Sequence, residues 1–339
     1  MKSKRVYLRE LAHARSGDKG DLVNIALIAH DEEAFEILKQ GITTEILKSW
    51  FEGWTEGPFE IYSIDSIHEP CLTGQFMGNS SPRDSVNRVL NATSNSARLY
   101  GHGLGMIASE NIISPNVKRA INSDLHGRYA EGLPGKRYYQ GCEDFDTIES
   151  LGIDLAKKVF NAPFANIQST SGTVSNIGAL KALAKPGDSI TAVSTADGGH
   201  ISHARMGAVG LRDLNVSTYP WDEERMEPDV DGSCALIREL KPKVTLVGQS
   251  VFLFPTPLRE LADAAHEVGS TVMYDGAHVL GLIAGGVFQD PLREGADVMT
   301  GSSHKTFPGP QGGFLLSSDE DLSFHKKLNN AMFPGVVSS

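Results

Sequence analysis

The segment TPLRELADAAHEVGSTVMYD, residues 256–275, shows how this chain is built. In its first part, leucine and alanine recur three to four positions apart, which predicts a helix with one apolar face. After the glycine at 269, the short apolar run TVMYD predicts a buried strand that ends on an aspartate. A helix followed at once by such a strand is typical of an α/β fold.

The same alternation continues on both sides of this segment. Helices are predicted at 171–188 and 232–242, and strands at 189–195, 243–249, 296–300 and 312–318. The pattern predicts an α/β layer with a mostly parallel sheet and helices on both faces. Ligands of such sheets bind beyond the carboxyl ends of the strands. Asp275 and the segment Ser302–Lys305 both follow predicted strands, so we expect them at the ligand-binding edge.

Composition limits the possible functions. The chain has 339 residues, enough for two domains, and a formal net charge of -11, which makes nucleic acids and anionic membranes poor partners. Its cysteines, Cys71, Cys142 and Cys234, are widely spaced and form neither a disulfide framework nor a zinc pattern, as expected in a reducing cytoplasm. No segment reads as membrane-spanning.

The first 76 residues predict a small α+β domain. Strands are predicted at 5–11, 22–30 and 58–67, helices at 31–40 and 43–53, and a charged turn at 14–21. Residues 77–105 are rich in Ser, Asn and Gly and predict a linker or arm, in which 85–100 could be helical. The α/β domain then covers residues 106–339.

Two strand-end residues could carry chemistry. Lys305 lies in GSSHKTFPGP, residues 301–310, where small residues leave room beside its amine. A partly desolvated lysine can form a Schiff base, although an ordinary surface lysine is the alternative. The carboxylate of Asp275 could keep the pyridine nitrogen of pyridoxal phosphate protonated, or it could simply cap the turn that follows.

Two further segments could hold the rest of such a cofactor. Ser171, Gly172 and Thr173 begin a helix and could bind an anion, or form an ordinary cap. In DGGHISHA, residues 197–204, two glycines allow close approach of a ligand, and His200 could lie flat on an aromatic ring. A metal pair of His200 and His203 is conceivable, but no acidic or thiol ligand clusters with them in the sequence, so no metal is expected.

The loop 127–143 carries three tyrosines around Glu131, namely Tyr129, Tyr138 and Tyr139. Three tyrosines on one glycine- and proline-containing loop fit a binding surface better than a solvated face. Taken in chain order, an anion-binding helix start, a stackable histidine, a strand-end aspartate and a strand-end lysine are what a pyridoxal phosphate site requires.

Five motifs resemble serine (glycine) hydroxymethyltransferase, a fold-type I enzyme dependent on pyridoxal phosphate. They are MIASENIISP, RYAEGLPGKRYYQGCE, DGGHISH, YDGAHVLGL and SSHKTFPGPQGG, and they occur in order between residues 105 and 339. HKTFPGPQGG and FPGVVSS are closest to an archaeal-like variant, in which Gln311 stands where other members have arginine. The resemblance implies the fold-type I large domain.

The resemblance also implies residue roles. Lys305 carries the cofactor as a Schiff base, Asp275 pairs with the pyridine nitrogen, and His200 stacks on the ring. The remaining cofactor contacts are Ser171, Gly172, Thr173, Ser250, His278, Ser302 and His304. The implied substrate-binding residues are Ser109, Tyr129, Glu131, Tyr138 and Tyr139. Tyr129, Glu131 and Tyr139 reach the site of the neighbouring subunit in a homodimer, and Glu131 acts as acid or base.

The implied activity is the interconversion of serine and glycine, with one-carbon transfer to tetrahydrofolate or another tetrahydropterin. A 2-methylserine hydroxymethyltransferase or a β-hydroxy amino acid aldolase is the second possibility. The chain stops at Ser339, before the C-terminal domain and carboxylate-binding arginine expected in this family. A truncated, non-catalytic protein that binds the cofactor or a partner is therefore the third.

The N-terminal part has a resemblance of its own. LAHARSGDKGDLVNIALIAHDEEAF is similar to the ferredoxin-like domain of AtuA-like proteins of acyclic-terpene utilisation. That resemblance covers residues 5–75 and implies a ferredoxin-like fold. Arg15 and Lys19 in the turn RSGDKGD could bind an anion or a partner, or they could only form ion pairs within the turn.

Overall fold

The computed structural model describes residues 8–19, 22–50, 59–64, 69–74, 82–103, 105–251 and 253–338. The chain divides into two compact units, Met1–Gly105 and Met106–Ser339. The finer division into 1–76, 77–105 and 106–339 stays a prediction. No helix in the described ranges is long and apolar enough to cross a membrane.

The first unit is an antiparallel sheet of four strands with helices. The strands, in the order β1-β2-β4-β3, are β1 Ala12–Lys19, β2 Leu22–Ala29, β3 Phe59–Ile64 and β4 Glu69–Gly74. The helices are α1 Leu8–Leu11, α2 Glu32–Gly41, α3 Thr44–Trp50 and α4 Pro82–His102. Leu27, Leu38 and Leu47 form the centre of a small core between sheet and helices. Asp31 caps α2 by accepting a hydrogen bond from the N–H of Ala34 (2.8 Å).

Two expectations for this unit are wrong. Leu8–Leu11 is helical rather than part of a strand, and residues 5–7 lie outside the described ranges. The predicted turn at 14–21 is mostly strand, because β1 runs to Lys19 and pairs with β2 from Leu22 onward. Backbone pairing with an apolar neighbour strand therefore overrides the turn preference of Ser16, Gly17 and Asp18.

The described residues of the second unit contain eleven strands. They are β5 Gly132–Leu133, β6 Lys136–Arg137, β7 Phe164–Ser169, β8 Ser189–Ala192, β9 Asn215–Thr218, β10 Trp221–Asp222, β11 Glu227–Pro228, β12 Val244–Val247, β13 Thr271–Asp275, β14 Val298–His304 and β15 Pro308–Ser317. Seven of them form the main sheet in the order β7-β15-β14-β13-β12-β8-β9. Strand β15 is antiparallel to both neighbours, and the pairings from β14 through to β9 are parallel.

Most helices of the second unit lie between these strands in the chain, whereas the first helix precedes β5 and the last follows β15. The helices are α5 Pro115–Ile121, α6 Glu143–Val159, α7 Gly172–Leu183, α8 Ala208–Leu211, α9 Val230–Leu240, α10 Leu258–Glu267, α11 Leu280–Ala284 and α12 Leu322–Met332. Alternate residues of β13 enter different clusters: Val272 and Tyr274 pack with Leu261 of α10, whereas Met273 packs with Leu180 of α7. The sheet is thus covered on both faces, which confirms the predicted α/β architecture.

Candidate active site

A cavity of about 230 Å³ lies where β13 and β14 end and α7 begins. Its lining brings together residues far apart in the sequence: Ser171, Gly172, Thr173, Asn176, His200, Asp275, Ala277, Ser302, His304, Lys305 and Gln311. Strands β13 and β14 are parallel neighbours, so their carboxyl ends deliver Asp275 and Lys305 to one edge of the sheet. The cavity is therefore at the edge expected for ligands of this fold.

Asp275 is a buried carboxylate held by several donors. Its Oδ2 accepts hydrogen bonds from His203 Nε2 and Asn176 Nδ2, both at 2.8 Å, and its Oδ1 accepts one from the N–H of Ala277 at 3.0 Å. Burial alone raises the pKa of Asp275, but His203 and the hydrogen bonds from Asn176 and Ala277 outweigh burial and hold this pKa well below its usual range. Asp275 is thus a fixed negative charge at the cavity.

Two of these hydrogen-bond partners of Asp275 were not predicted from the sequence. Asn176 lies one turn into α7, and its Oδ1 accepts a hydrogen bond from Thr300 Oγ1 at 2.6 Å, so its amide is oriented with Nδ2 toward Asp275. Its only signal in the sequence is its place in the segment TSGTVSN. His203 was considered only as a metal ligand, yet it is buried and bonded to Asp275.

The structure corrects the expectation that no acidic ligand clusters with the two histidines. One donor atom from each of His200, His203 and Asp275 lies within 4.8 Å of the others. The carboxylate already accepts a hydrogen bond from His203 Nε2, and His200 Nδ1 is 2.7 Å from Ser202 Oγ. These bonds explain the cluster as a set of side chains that hold Asp275 and His200 in place.

Lys305 lies immediately after β14, half-buried, with its Nζ 2.8 Å from Nε2 of His278. Burial lowers the pKa of Lys305, and the charge of Asp275 opposes this effect only in part. Burial, and then the positive charge of Lys305, lowers the pKa of His278 to about 4. At neutral pH the imidazole is therefore neutral and can accept a hydrogen bond from the lysine.

The start of α7 forms a cradle for an anion. Ser171 caps the helix, and its Oγ and carbonyl oxygen accept the N–H groups of Val174 and Ser175. The N–H groups of Gly172 and Thr173 have no acceptor among the described residues. A Cβ on Gly172 would crowd Ser302 Oγ, so glycine leaves this space open without a shift of that side chain. Free N–H groups at the positive end of a helix favour a phosphate.

The loop with the tyrosines stands apart from the cavity lining. The guanidinium of Arg137, 5% exposed, bonds Asp146 (2.8 Å) and Glu149 (2.5 Å), and its Nη1 donates to the two carbonyls that flank Glu131 (2.7 and 2.6 Å). These contacts fix the backbone around Glu131 through a side chain that sequence reasoning had left out. The three tyrosines, by contrast, are at least half exposed: Tyr129, Tyr138 and Tyr139.

Three other predicted residues also lie outside the cavity lining: Ser250, Ser109 and His278, of which His278 instead contacts Lys305. The N–H of Ser250 donates to the carbonyl of Gly198 at 2.7 Å, which ties the end of β12 to the segment that bears His200. Ser109 is half-buried in the segment MIASEN. Two residues further on, Asn111 Nδ2 donates to the carbonyl of Lys305 at 3.0 Å, a contact that sequence reasoning missed.

The cavity suits a phosphorylated pyridine aldehyde. Its residues offer an amine for the aldehyde, a buried anion for a protonated ring nitrogen, and free N–H groups for a phosphate. Together with the seven-stranded sheet, these residues define the class of fold-type I pyridoxal-phosphate-dependent proteins.

The comparison with known sequences identifies the family within this class. Residues 83–338 match the family model for serine hydroxymethyltransferase, and the chain belongs to that family. Proteins named serine hydroxymethyltransferase from the archaea Methanocella arvoryzae and Pyrococcus furiosus are 52% and 50% identical to it, each over 75% of this chain. A relative from Methanothermobacter thermautotrophicus is 54% identical over 70% of the chain.

The same matches show how much of each relative's length this chain covers. The chain spans 59%, 60% and 55% of the length of these three relatives. The N-terminal residues 6–69 match a different model, that of the AtuA ferredoxin-like domain. The predicted combination of a hydroxymethyltransferase domain and an N-terminal AtuA-like domain is confirmed.

Proposed function

We propose that the second unit binds pyridoxal 5'-phosphate and serves serine–glycine hydroxymethyl transfer. This proposal rests mainly on one observation: Lys305 and Asp275 line the same cavity. Lys305 would hold the cofactor as a Schiff base, Asp275 would keep the ring nitrogen protonated, and Ser171, Gly172 and Thr173 would bind the phosphate. When bound, the cofactor supplies an electron sink for the bond that breaks at the substrate Cα.

The other cavity residues would orient the cofactor. His200 would stack on the ring, and its lowered pKa, which results first from burial, favours the neutral imidazole that stacking needs. Ser302 and His304 would contact the polar edge of the cofactor from β14. His278 and Ser250, which lie on the segments next to Lys305 and His200, would complete that edge. No metal is needed in this scheme.

The tyrosine loop would act in a neighbouring subunit. Tyr129 and Tyr138 are 67% and 72% exposed in the single chain, which supports a role at a surface that a second copy covers. Glu131 would move a proton to or from the hydroxymethyl oxygen or the pterin. Ser109, Tyr138 and Tyr139 would contact the amino acid. A homodimer with shared sites follows, and a cytoplasmic location suits these metabolites.

The substrates would be serine and glycine with tetrahydrofolate or another tetrahydropterin. Gln311 lines the cavity where other members have arginine, so the cavity has one cation fewer near an anionic ligand. This substitution is a feature of the archaeal-like variant and does not remove any group that the proposed proton transfers need.

Hydrogen exchange at glycine tests the proposal without depending on the pterin. The chain, supplied with pyridoxal phosphate, is incubated with glycine in deuterated water, and loss of the Cα proton signal is followed by NMR. We expect exchange with the wild type and none with Lys305→Ala. Conversion of serine to glycine only with tetrahydropterin present would identify a hydroxymethyltransferase. Cleavage of β-hydroxy amino acids without pterin would instead identify an aldolase, and a bound cofactor without exchange would contradict catalysis.

A further inference from the structure

Lys305 and His278 are in direct contact, and holding a bound cofactor does not by itself require this contact. A lysine attacks an aldehyde only as the neutral amine, so an ammonium must first lose a proton. Nζ of Lys305 is 2.8 Å from Nε2 of His278, a distance at which a proton can pass directly between them. Both side chains are half-buried, which limits exchange of that proton with water.

The backbone holds the two side chains in this relation. Thr306, the residue after Lys305, donates from its Oγ1 to the carbonyl of His278 at 2.9 Å and accepts from the N–H of Gly281 at 3.2 Å. Asn111 Nδ2 bonds the carbonyl of Lys305 from a third segment. Three separate hydrogen bonds therefore hold the backbones that bear the two side chains next to each other.

Burial is the main reason why the pKa of His278 is low, and the charge of Lys305 lowers it further. Lys305, Asp275, His200 and His203 are the titratable groups that act on it. Lys305 is the largest of the charge effects and lowers the pKa of His278, so His278 is free of a proton when the lysine is an ammonium. Once the amine becomes neutral, that repulsion disappears and the pKa of His278 rises, because Asp275 then opposes the remaining effect of burial.

We propose that His278 is the proton carrier for attachment of the cofactor, a role that rests on the proposed function. His278 takes one proton from the Lys305 ammonium, and the amine lone pair forms the bond to the aldehyde carbon while the carbonyl π pair moves to oxygen. The imidazolium returns its proton to that oxygen, which leaves as water with a second proton from nitrogen. The third proton stays on the Schiff base nitrogen, so no other reactant is required.

The rate of cofactor uptake tests this role. Protein freed of cofactor is mixed with pyridoxal phosphate, and the visible absorbance of the Schiff base is followed over time and as a function of pH. At saturating pyridoxal phosphate, we expect His278→Gln to slow attachment by about 100-fold, the scale of general acid–base catalysis, while the absorbance reached at the end shows that the site still fills. Imidazole added to His278→Ala should restore part of the rate.

A matched control separates proton transfer from packing. His266 lies exposed on α10, with its Nε2 3.1 Å from Asp297 Oδ2, and lines no part of the cavity, so His266→Gln should attach the cofactor at the wild-type rate. Attachment by His278→Gln at that same rate would overturn the proton-carrier role and leave the cofactor site intact. Loss of final absorbance without rescue by imidazole would assign His278 to packing alone. No absorbance with the wild type would contradict the proposed function itself.

Discussion

His203 Nε2 lies 2.8 Å from Oδ2 of Asp275, and both side chains are almost fully buried, at 1% and 6% exposed. A buried carboxylate normally gains a proton, because burial disfavours its charge. The histidine and the amide of Asn176 reverse this tendency and leave Asp275 charged. A buried negative charge at a cavity attracts a cationic partner strongly, since the low dielectric strengthens the attraction.

Replacement of Asp275 by Asn should weaken cofactor binding. The amide keeps the size of the carboxylate but removes the charge that would pair with a protonated ring nitrogen. Loss of one partner of a buried pair costs about 3 kcal/mol, so we expect affinity to fall by roughly 100-fold. Equilibrium titration with pyridoxal phosphate measures this effect. Asp263→Asn, at an exposed position of α10, is the control, and equal affinities of the two variants would contradict the role of Asp275.

The position of Asp275 and Lys305 could be predicted from the sequence, but their surroundings could not. Short apolar runs such as TVMYD have few alternatives to a buried strand, and the parallel arrangement then brings the strand ends together. Asn176 and Asp275 are 99 residues apart, and no local pattern shows that their side chains meet. The strand β1 was missed for a similar reason: a turn was predicted at 14–21, but pairing with β2 decided the conformation of Ala14–Lys19.

The pH dependence of stability should report on His278. Its pKa falls from 6.5 to about 4 on folding, so the unfolded chain binds a proton between these pH values that the folded chain does not bind. The free energy of unfolding therefore rises with pH across this window and falls on acidification. Burial lowers the pKa of His200 too, which adds in the same direction.

Urea unfolding of the cofactor-free chain at several pH values between 4 and 6.5 measures this slope. His278→Gln removes one titrating group, so the slope should decrease by up to one proton. An unchanged slope in His278→Gln would show that the histidine has no lowered pKa in the folded chain.

Arg137 should be important for stability. Its buried guanidinium pairs with Asp146 and Glu149, so Arg137→Met leaves these carboxylates without their cation and costs about 3 kcal/mol. Arg238 offers a matched exposed control: it lies 2.7 Å from Glu267, with both side chains at least half exposed. Arg238→Met should cost much less, because an ion pair between solvent-exposed side chains contributes little to stability.

Urea unfolding midpoints of the two arginine variants provide the comparison. A larger loss for Arg137→Met supports its role in holding the loop around Glu131. An equal loss of stability in the two variants would mean that the carboxylates of Asp146 and Glu149 move into solvent when the guanidinium is removed.

The most direct test of the central claim is the identity of the lysine that carries the cofactor. The chain is mixed with pyridoxal phosphate, the Schiff base is reduced with borohydride, and the labelled peptide is found by mass spectrometry. We predict one stable label on Lys305 in the wild type and in Lys158→Ala, an exposed control on α6, and none in Lys305→Ala. A label on another lysine, or a wild-type chain that stays unlabelled, would contradict the account.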